Sequence, residues 1–379
     1  MKIGILTFHY AINYGAVLQT YATQKWLLKQ GIESDIINYV PIEQESKYHP
    51  DIIKKNYLVN FKFNPLRSIA RLVKYKLLTE RDYVEKTNKF NIFIENNLKM
   101  THIIKCKEEL SYLNNDGYDG FICGSDQIWN PEITKEFDKT YFCDFVNESI
   151  KRIAYAASAG DTSILSQAEY KKDFFRLIKN FNFIGVRERS LADFIVDESD
   201  MNAIVTLDPT LLLEKDDYEE VTASLQHIDK NYVLIYQLAR TTKAKEIAAQ
   251  IAKERNLEII ELCGMLYNKP HSKDIICNAG PSEMLGFIRD ASYVVTNSFH
   301  GTTLSIIYQK DFSTILSKKR NSRIIDLLES LKLSNRIVRE DTKDIVTNSI
   351  NYTIHLEFLE GMKKQSYEFL KKSIGFKNE

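Results

Sequence analysis

The sequence predicts an α/β protein with two consecutive parallel sheets, and three patterns support that fold class. Short apolar runs at residues 2–7 and 36–40 have the length of strands that are buried on both faces. Between them, residues 16–28 have the pattern of a helix that ends before Gly31. A strand, a helix and a strand within about 40 residues are typical of a parallel sheet. A second series of the same kind begins near residue 232.

The first series is interrupted by a polar segment. Residues 43–110 are rich in Lys, Asn and Tyr and helical in pattern, which indicates a helical insertion. Strands are expected again at residues 118–123, 153–157 and 183–186. We interpret residues 207–210 as the linker to the second series.

The second series alternates strands and helices up to residue 296. Its predicted elements are a strand at 232–236, a helix at 243–256, a strand at 257–262, a helix at 282–291 and a strand at 293–296. A long amphipathic helix over about 345–373 closes the chain. We therefore expect two α/β domains, residues 1–212 and 213–379, with a cleft between them.

Composition limits the classes of protein that fit. With 379 residues, the chain is long enough for about two domains. Its 51 basic and 51 acidic side chains leave no net charge, which argues against a dedicated nucleic-acid-binding protein. No apolar run approaches the roughly 18 residues of a membrane span, and polar Thr7 and His9 follow the first strand too soon for a signal peptide. The five cysteines lack metal-binding spacing, so we expect reduced thiols and a cytoplasmic protein without a metal site.

The loop between the first strand and the first helix is a candidate binding site. In open α/β sheets, ligands bind at the carboxyl ends of the strands. Gly15 lets the backbone approach a ligand, while Asn13 and Tyr14 stand beside the unpaired N–H groups of the helix start, which suit an anion. The alternative is a tight turn in which Asn13 only caps the helix.

The motif GSDQIWN, residues 124–130, directly follows an apolar strand. Ser125, Asp126 and Gln127 supply groups that match sugar hydroxyls, and Trp129 supplies an aromatic plate. These residues predict a sugar-binding site. The alternative is a capped turn with Trp129 buried in the core.

Two groups of basic residues are candidates for binding an anion. Arg187 and Arg189 follow a strand and are able to grip a phosphate or a carboxylate in a bidentate way. The alternative is a solvated cluster that is paired internally through Glu188. The basic run at residues 318–323 precedes a helix, and its spacing fits a phosphate contact and a solvated helix start equally well.

The motif TNSFHGTT, residues 296–303, is the sharpest candidate for chemistry. It follows a strand and leads into a helix predicted at 303–308, so His300 is expected in a loop between Ser298 and Thr302. An imidazole beside the positive end of a helix is suited to proton transfer near an anion. The alternative is a histidine that only hydrogen-bonds the loop.

Residues 65–79 have the pattern of a basic amphipathic helix, with an apolar face flanked by arginine and lysine. Such a face is able to rest on anionic lipid, which would give the protein a peripheral contact at the inner face of the membrane. The alternative is a surface helix whose apolar stripe packs in the core.

Taken in order over about residues 1–340, these segments resemble the polysaccharide pyruvyl transferase family. The residues that carry the resemblance are Ile3 to Thr7, Asn13 to Gln19, Gly124 to Asn130, Val186 to Glu188, Asp208 to Leu212, and Ser298 to Gly301. The resemblance implies two Rossmann-like domains arranged as in the GT-B glycosyltransferases. It also implies that the first domain binds the acceptor and the second binds the donor.

The resemblance further implies an activity. Members of the family transfer the enolpyruvyl unit of phosphoenolpyruvate to a sugar, usually closing a pyruvate ketal across two hydroxyls, and release phosphate. This places the chain in the synthesis of cell-surface polysaccharide or exopolysaccharide, with a lipid-linked oligosaccharide among the acceptors and no metal or other cofactor. His300 and Asp126 would serve as acid and base, and Arg187 would bind an anionic group of the donor.

One position departs from the family pattern. Relatives often carry an arginine two residues before the histidine, where this chain has Ser298. Arg187, Arg189 or the run at 318–323 would have to supply the missing charge.

Two other classes of protein stay open. A GT-B-like glycosyltransferase would use a sugar nucleotide and would need base and ribose contacts in the second domain, where no diagnostic acidic pair is evident. A non-catalytic carbohydrate-binding relative would be compatible with Ser298.

Overall fold

The structure is a computed structural model. It describes residues 1–41, 73, 80–134, 136–225, 231–264, 275–317, 321–342 and 344–375. Apart from residue 73, the helix predicted at 65–79 lies outside the described residues. The same holds for residues 43–64 of the insertion predicted at 43–110. The described part of that insertion is helical at Glu80–Asn97 and again from Lys107, as expected, but Met100 and Ile104 between them pair with Ile36 and Tyr39 instead.

The first sheet has six parallel strands in the order β2-β1-β3-β4-β5-β6. The strands are β1 (Lys2–Leu6), β2 (Glu33–Ile36), β3 (Gly120–Cys123), β4 (Lys151–Ala157), β5 (Phe183–Val186) and β6 (Ala203–Val205). They are short and almost wholly buried, because helices cover both faces of a parallel sheet.

The second sheet also has six parallel strands, in the order β12-β11-β10-β7-β8-β9. The strands are β7 (Tyr232–Gln237), β8 (Glu258–Cys263), β9 (Ile275–Ile276), β10 (Tyr293–Thr296), β11 (Asp311–Ile315) and β12 (Ile337–Val338). The predicted α/β class, with two Rossmann-like parallel sheets, is therefore confirmed, and so is the long helix near the C-terminus.

The α-helices of the described residues are labelled in chain order. They are α1 (Tyr14–Lys29), α2 (Glu80–Asn97), α3 (Pro131–Thr134), α4 (Thr162–Leu165), α5 (Ala168–Ile178), α6 (Arg189–Asp197), α7 (Lys215–Glu219), α8 (Thr242–Arg255), α9 (Pro281–Asp290), α10 (Phe299–Ile307), α11 (Ser322–Ser330) and α12 (Tyr352–Ile374). Short 3₁₀ helices span Lys107–Asn115, Lys139–Phe142, Pro209–Leu212 and Ser334–Arg336. Among the described helices, none is both long and apolar enough to cross a membrane.

Packed helices join the two sheets. Helix α1 contacts α9, α10 and the 3₁₀ helix Pro209–Leu212, and most of its residues are buried. The hydroxyl of Tyr14 donates to the carbonyl oxygen of Ala279 at 2.8 Å, and that of Tyr21 donates to Asp217 O at 2.9 Å. One apolar core cluster consequently contains side chains from both sheets.

Helix α2 forms a second connection between the sheets. Its Lys86 is buried, and its Nζ donates to the carbonyl oxygens of Cys263 at 3.1 Å and Gly264 at 3.2 Å. The same ammonium group lies 4.4 Å from the centre of the Tyr14 ring. Groups from two distant parts of the chain, at Tyr14 and at residues 263–264, thus surround one buried lysine.

Three predicted boundaries were wrong. Helix α10 begins at Phe299 rather than at residue 303, because Ser298 caps it by accepting a hydrogen bond from Gly301 N at 3.3 Å. Strand β2 covers Glu33–Ile36 rather than 36–40. The C-terminal helix begins at Tyr352, where Asn351 caps it, rather than near residue 345.

The segment interpreted as a linker is part of the packed core. Asp208 accepts a hydrogen bond from Thr210 N and thereby caps the 3₁₀ helix Pro209–Leu212, whose residues are all buried. Between the two sheets, the chain therefore passes through ordered structure. The domain boundaries at 212 and 213 stay a prediction.

Candidate functional site

The candidate site lies where carboxyl ends of strands from both sheets meet. Gly15 follows β1 of the first sheet, and His300 follows β10 of the second. A Cβ atom added to Gly15 would lie 2.0 Å from His300 Nδ1. Only glycine leaves room for the imidazole there, and the starts of α1 and α10 therefore face each other across this contact.

The side chain of His300 is held in the first turn of α10, where it is about 9% exposed. Its Nε2 lies 3.6 Å from Asp208 Oδ2 and has no hydrogen-bond partner among the described residues. Buried polar atoms of proteins are nearly always hydrogen-bonded, so an unpaired one at a sheet edge marks a candidate for proton transfer.

Asp208 is fully buried and is the acceptor for several neighbours. Its Oδ1 accepts from Thr210 N at 3.0 Å, and its Oδ2 accepts from Ser125 Oγ at 3.0 Å and lies 3.1 Å from Arg187 Nη1. Burial disfavours the charged form, but the charges of Arg187 and His300 and the hydrogen bonds to the carboxylate hold the pKa of Asp208 well below its usual range. Asp208 therefore stays ionised next to the imidazole of His300.

A buried polar network extends from Asp208 into the first sheet. Arg187 Nη2 donates to Ser125 Oγ at 2.8 Å, and Ser125 N donates to Gln19 Oε1 at 3.2 Å. Gln19 Nε2 in turn donates to Thr7 Oγ1 at 2.7 Å. Each member fixes the orientation of the next, so the carboxylate that faces His300 is held rigidly.

A second buried group lies next to the first. Glu188 accepts a hydrogen bond from Ser158 Oγ, and its Oε1 lies 3.7 Å from Arg323 Nε. Burial is the main cause that raises the pKa of Glu188, and burial followed by the charge of Arg187 lowers the pKa of Arg323. Both guanidinium groups lie near the ring of Phe299, that of Arg187 at 5.2 Å and that of Arg323 at 5.5 Å from its centre.

The predicted residues of the first loop are at the site. Asn13 caps α1, since its Oδ1 accepts from Gly15 N at 2.9 Å. Tyr14 is buried and points toward Ala279 and Lys86, and Gly15 touches His300. The capping role predicted as the alternative for Asn13 is therefore present together with the approach of Gly15 to the histidine.

The structure separates the residues of the motif at 124–130, for which sugar binding is the prediction. Ser125 is buried in the Asp208 network, whereas Asp126 and Gln127 are half-buried at the carboxyl end of β3. Asp126 Oδ1 accepts from Gln127 N at 2.8 Å, and Gln127 Oε1 accepts from Asn130 Nδ2 at 3.0 Å. These two side chains remain candidates for contact with a ligand.

Trp129 does not offer an aromatic face to a ligand. Its side chain is completely buried, its Nε1 donates to Tyr141 O at 3.0 Å, and its ring stacks on Phe142 with centroids 5.5 Å apart. The prediction that Trp129 binds the sugar does not fit this position, because apolar side chains enclose the ring. The alternative, a tryptophan buried beneath a turn, is what the structure contains.

Three other predicted residues have local roles. Ser298 caps α10, and Thr302 donates to Ser298 O at 3.0 Å and lies 2.9 Å from Thr314 Oγ1. Thr302 is fully buried in these contacts, which does not fit a role in substrate binding. Arg189 is exposed at the start of α6, where its N–H donates to Asp326 at 3.1 Å.

Sequence reasoning did not assign Gln19 or Asp208 to the site, and it named Glu188 only as an internal partner and Arg323 only within the basic run at 318–323, of which residues 318–320 lie outside the described residues. Gln19, Glu188 and Asp208 lie inside segments that carry the family resemblance, and Arg323 ends the basic run at 318–323. Their positions in those segments were the only signal, because spacing along the chain does not reveal which strand ends meet. In the ranges that the structure describes, no three His, Cys, Asp or Glu side chains come together as metal ligands do.

Comparison with known proteins identifies a family and several similar solved structures. A family model described as polysaccharide pyruvyl transferase matches residues 13–316. No curated protein matches the chain. Similar solved structures include Staphylococcus aureus MnaA with UDP (10% identity, 100% of this chain and 98% of that one, TM-score 0.49). Another is the UDP-GlcNAc 2-epimerase of Neisseria meningitidis (13% identity, 100% of this chain and 95% of that one, TM-score 0.44). A third is the Escherichia coli heptosyltransferase WaaC (11% identity, 84% of this chain and 90% of that one, TM-score 0.39).

Proposed function

Because the chain belongs to the polysaccharide pyruvyl transferase family, we propose that it transfers the enolpyruvyl unit of phosphoenolpyruvate to a sugar. The acceptor is a precursor of a cell-surface polysaccharide or exopolysaccharide, lipid-linked oligosaccharides included. The reaction closes a pyruvate ketal across two sugar hydroxyls and releases phosphate. It takes place in the cytoplasm, at the inner face of the membrane when the acceptor is lipid-linked.

The observation that carries this proposal is the pair formed by His300 and Asp208. The imidazole Nε2 has no hydrogen-bond partner in the described part of the chain, and an ionised, buried carboxylate lies 3.6 Å away. Such a pair can deliver a proton and take one back, since the carboxylate stabilises the imidazolium that forms in between. The positive end of α10 opposes that charge, which makes Asp208 necessary.

The chemistry needs both halves of that exchange. His300 gives a proton to C3 of the donor, C2 becomes electrophilic, and the first sugar hydroxyl adds there. The bond between C2 and the phosphate oxygen then breaks, and the second hydroxyl closes the ketal. The two hydroxyls lose two protons: one restores His300, and the other leaves with phosphate.

The surroundings suit an anionic donor and a polar acceptor. The N-termini of α1 and α10 face each other at the contact between Gly15 and His300, and Arg187 lies beside Asp208. Helix starts and guanidinium groups are the usual partners of phosphate and carboxylate. Asp126 and Gln127, half-buried at the carboxyl end of β3, are the candidates for contact with the sugar, and Asp126 is the candidate second base.

The test is an assay with two kinds of donor. The purified protein is incubated with a panel of glycans and either phosphoenolpyruvate or sugar nucleotides, while free phosphate and free nucleotide are measured. We expect acceptor-dependent release of phosphate from phosphoenolpyruvate only. Release of nucleotide would instead support the glycosyltransferase, and glycan binding without turnover of either donor would support the non-catalytic relative.

A further inference from the structure

Two buried arginines from different parts of the chain lie on one aromatic ring. The guanidinium carbon of Arg187 is 5.2 Å from the centre of the Phe299 ring, and that of Arg323 is 5.5 Å from it. Both side chains are nine-tenths buried or more. Like charges repel strongly where water is excluded, so this arrangement requires a compensating negative charge.

The carboxylates of the protein supply that charge incompletely. Asp208 is engaged with Arg187, Ser125 and Thr210. Glu188 lies 3.7 Å from Arg323 Nε, beyond the distance of a hydrogen bond, and the charge of Asp126 also acts on Arg323.

Each of the two arginines also has an unpaired hydrogen-bond donor. Neither Arg187 Nε nor Arg323 Nε has a hydrogen-bond partner within the described ranges, although both atoms are shielded from water. Arg323 moreover lies in the first turn of α11, where the positive end of the helix disfavours a cation. Unpaired buried donors and an electrostatically unfavourable cation are both explained by an anion that binds there.

A small cavity provides the space. Arg187, Arg323, Phe299 and Asp208 line a cavity of about 40 Å³, and the exposed Arg189 lies at its edge. A water-sized group needs roughly 10–15 Å³ of such space, so the cavity has room for the two oxygens of a carboxylate. A planar carboxylate also matches the fork of a guanidinium group.

We propose that Arg323, together with Arg187, binds the carboxylate of the donor in this cavity, an inference that rests on the proposed function. The phosphate group is then left to the facing helix starts beside Gly15 and His300. Arg323 lies beyond residue 316, where the family match ends. It supplies the positive charge that relatives often carry two residues before the histidine, where this chain has Ser298.

The experiment separates carboxylate from phosphate recognition. Calorimetry measures binding of phosphoenolpyruvate and of isopropenyl phosphate, in which a methyl group replaces the carboxylate. Arg323→Met should weaken binding of phosphoenolpyruvate about 10- to 100-fold, the scale of hydrogen bonds to a charged group, and leave isopropenyl phosphate unchanged. The matched control is Arg176→Met, which removes an exposed arginine paired with Asp173 and should change neither affinity.

A conservative variant guards against misfolding. Arg323→Lys keeps the positive charge next to Glu188 but loses the planar fork, so it should restore folding and only part of the affinity for phosphoenolpyruvate. Equal losses for both ligands, or unchanged affinity for phosphoenolpyruvate in a folded Arg323 variant, would overturn the carboxylate assignment.

Pyruvate separates this proposal from the reaction itself. It carries the carboxylate but has no phosphate to transfer, so its binding does not depend on turnover. If the protein fails to release phosphate from phosphoenolpyruvate yet binds pyruvate in a way that Arg323→Met abolishes, the cavity is a carboxylate site and only the proposed reaction is wrong. If pyruvate binding survives Arg323→Met, the assignment of Arg323 is wrong whatever the reaction.

Discussion

The imidazole of His300 rests directly on the α-carbon of Gly15, with no space between them for a methyl group. The two residues lie 285 positions apart and belong to helices that pack against different sheets. The position of the histidine is therefore limited by a glycine that follows a strand of the other sheet.

Gly15→Ala should displace the imidazole, since the new Cβ would lie 2.0 Å from Nδ1. We expect kcat to fall about 100-fold, the scale of a misplacement of about 1 Å at a reacting group, with little change in circular dichroism. Gly361→Ala is the control, because a Cβ there meets nothing within 4 Å. Wild-type turnover by Gly15→Ala would show that the imidazole is free to move without loss.

His300→Gln should keep the fold and the binding of phosphoenolpyruvate while lowering kcat about 100- to 10,000-fold. The amide fills a similar space but does not exchange a proton as an imidazole does. In heavy water, the methyl group of the wild-type product should carry one deuterium per transfer, as mass spectrometry would show. His102→Gln, which changes an exposed histidine stacked on Tyr112, is the control and should be fully active. Normal turnover by His300→Gln would reject the assignment of the proton donor.

Trp129→Phe should lower the free energy of unfolding by about 1–3 kcal/mol, because it leaves a void in the core and removes the indole donor to Tyr141 O, which keeps only the weaker Cys123 thiol. The Michaelis constants of donor and acceptor should both stay near their wild-type values, since the ring is enclosed. Chemical denaturation and steady-state kinetics give the two quantities. A selective rise in the constant for the acceptor would reinstate Trp129 as a sugar contact.

Lys86 predicts a dependence of stability on pH. Burial lowers the pKa of Lys86 to about 8, whereas an unfolded lysine titrates near 10.4. Between these values the unfolded chain binds the proton more readily than the folded protein, so this group makes stability rise with pH. Below about pH 8 both states hold the proton, and the cost of the buried charge is constant.

Lys86→Met should therefore flatten the curve of unfolding free energy against pH between about 8 and 10. The expected difference from wild type over that interval is on the order of 2 kcal/mol. Lys253→Met in α8, at an exposed position, is the control and should keep the wild-type slope. Identical slopes for Lys86→Met and wild type would mean that the lysine titrates normally.

The fold and part of the site could be predicted because both follow from the order of strands and helices along the chain. Apolar runs of strand length separated by helices predicted both sheets, and the rule that ligands bind at carboxyl ends selected Gly15, Ser125, Arg187 and His300, which the structure brings together. That rule needs only the order of elements along the chain.

The rest depends on contacts between distant segments, which a local pattern does not contain. Asp208 looked like part of a linker, because Asp-Pro is a common turn signal. The burial of this segment depends on its contact with helix α1, which is distant in the sequence. Trp129 looked accessible because polar neighbours surround it in sequence, whereas in space it meets Phe142 and Phe174. His300 was expected in a loop, but helix α10 already begins at Phe299. Gly301 permits the close packing of this first turn on Thr296.

The contact between Gly15 and His300 also limits how this protein can be recombined. A hybrid made by joining the first half of one relative to the second half of another would bring together a glycine and an imidazole that were never fitted to each other. Such a hybrid should fold yet turn over slowly until its junction is readjusted. Under the proposed function, Gln127 is the position at which to change acceptor preference, because its side chain is half-buried and hydrogen-bonds within its own half.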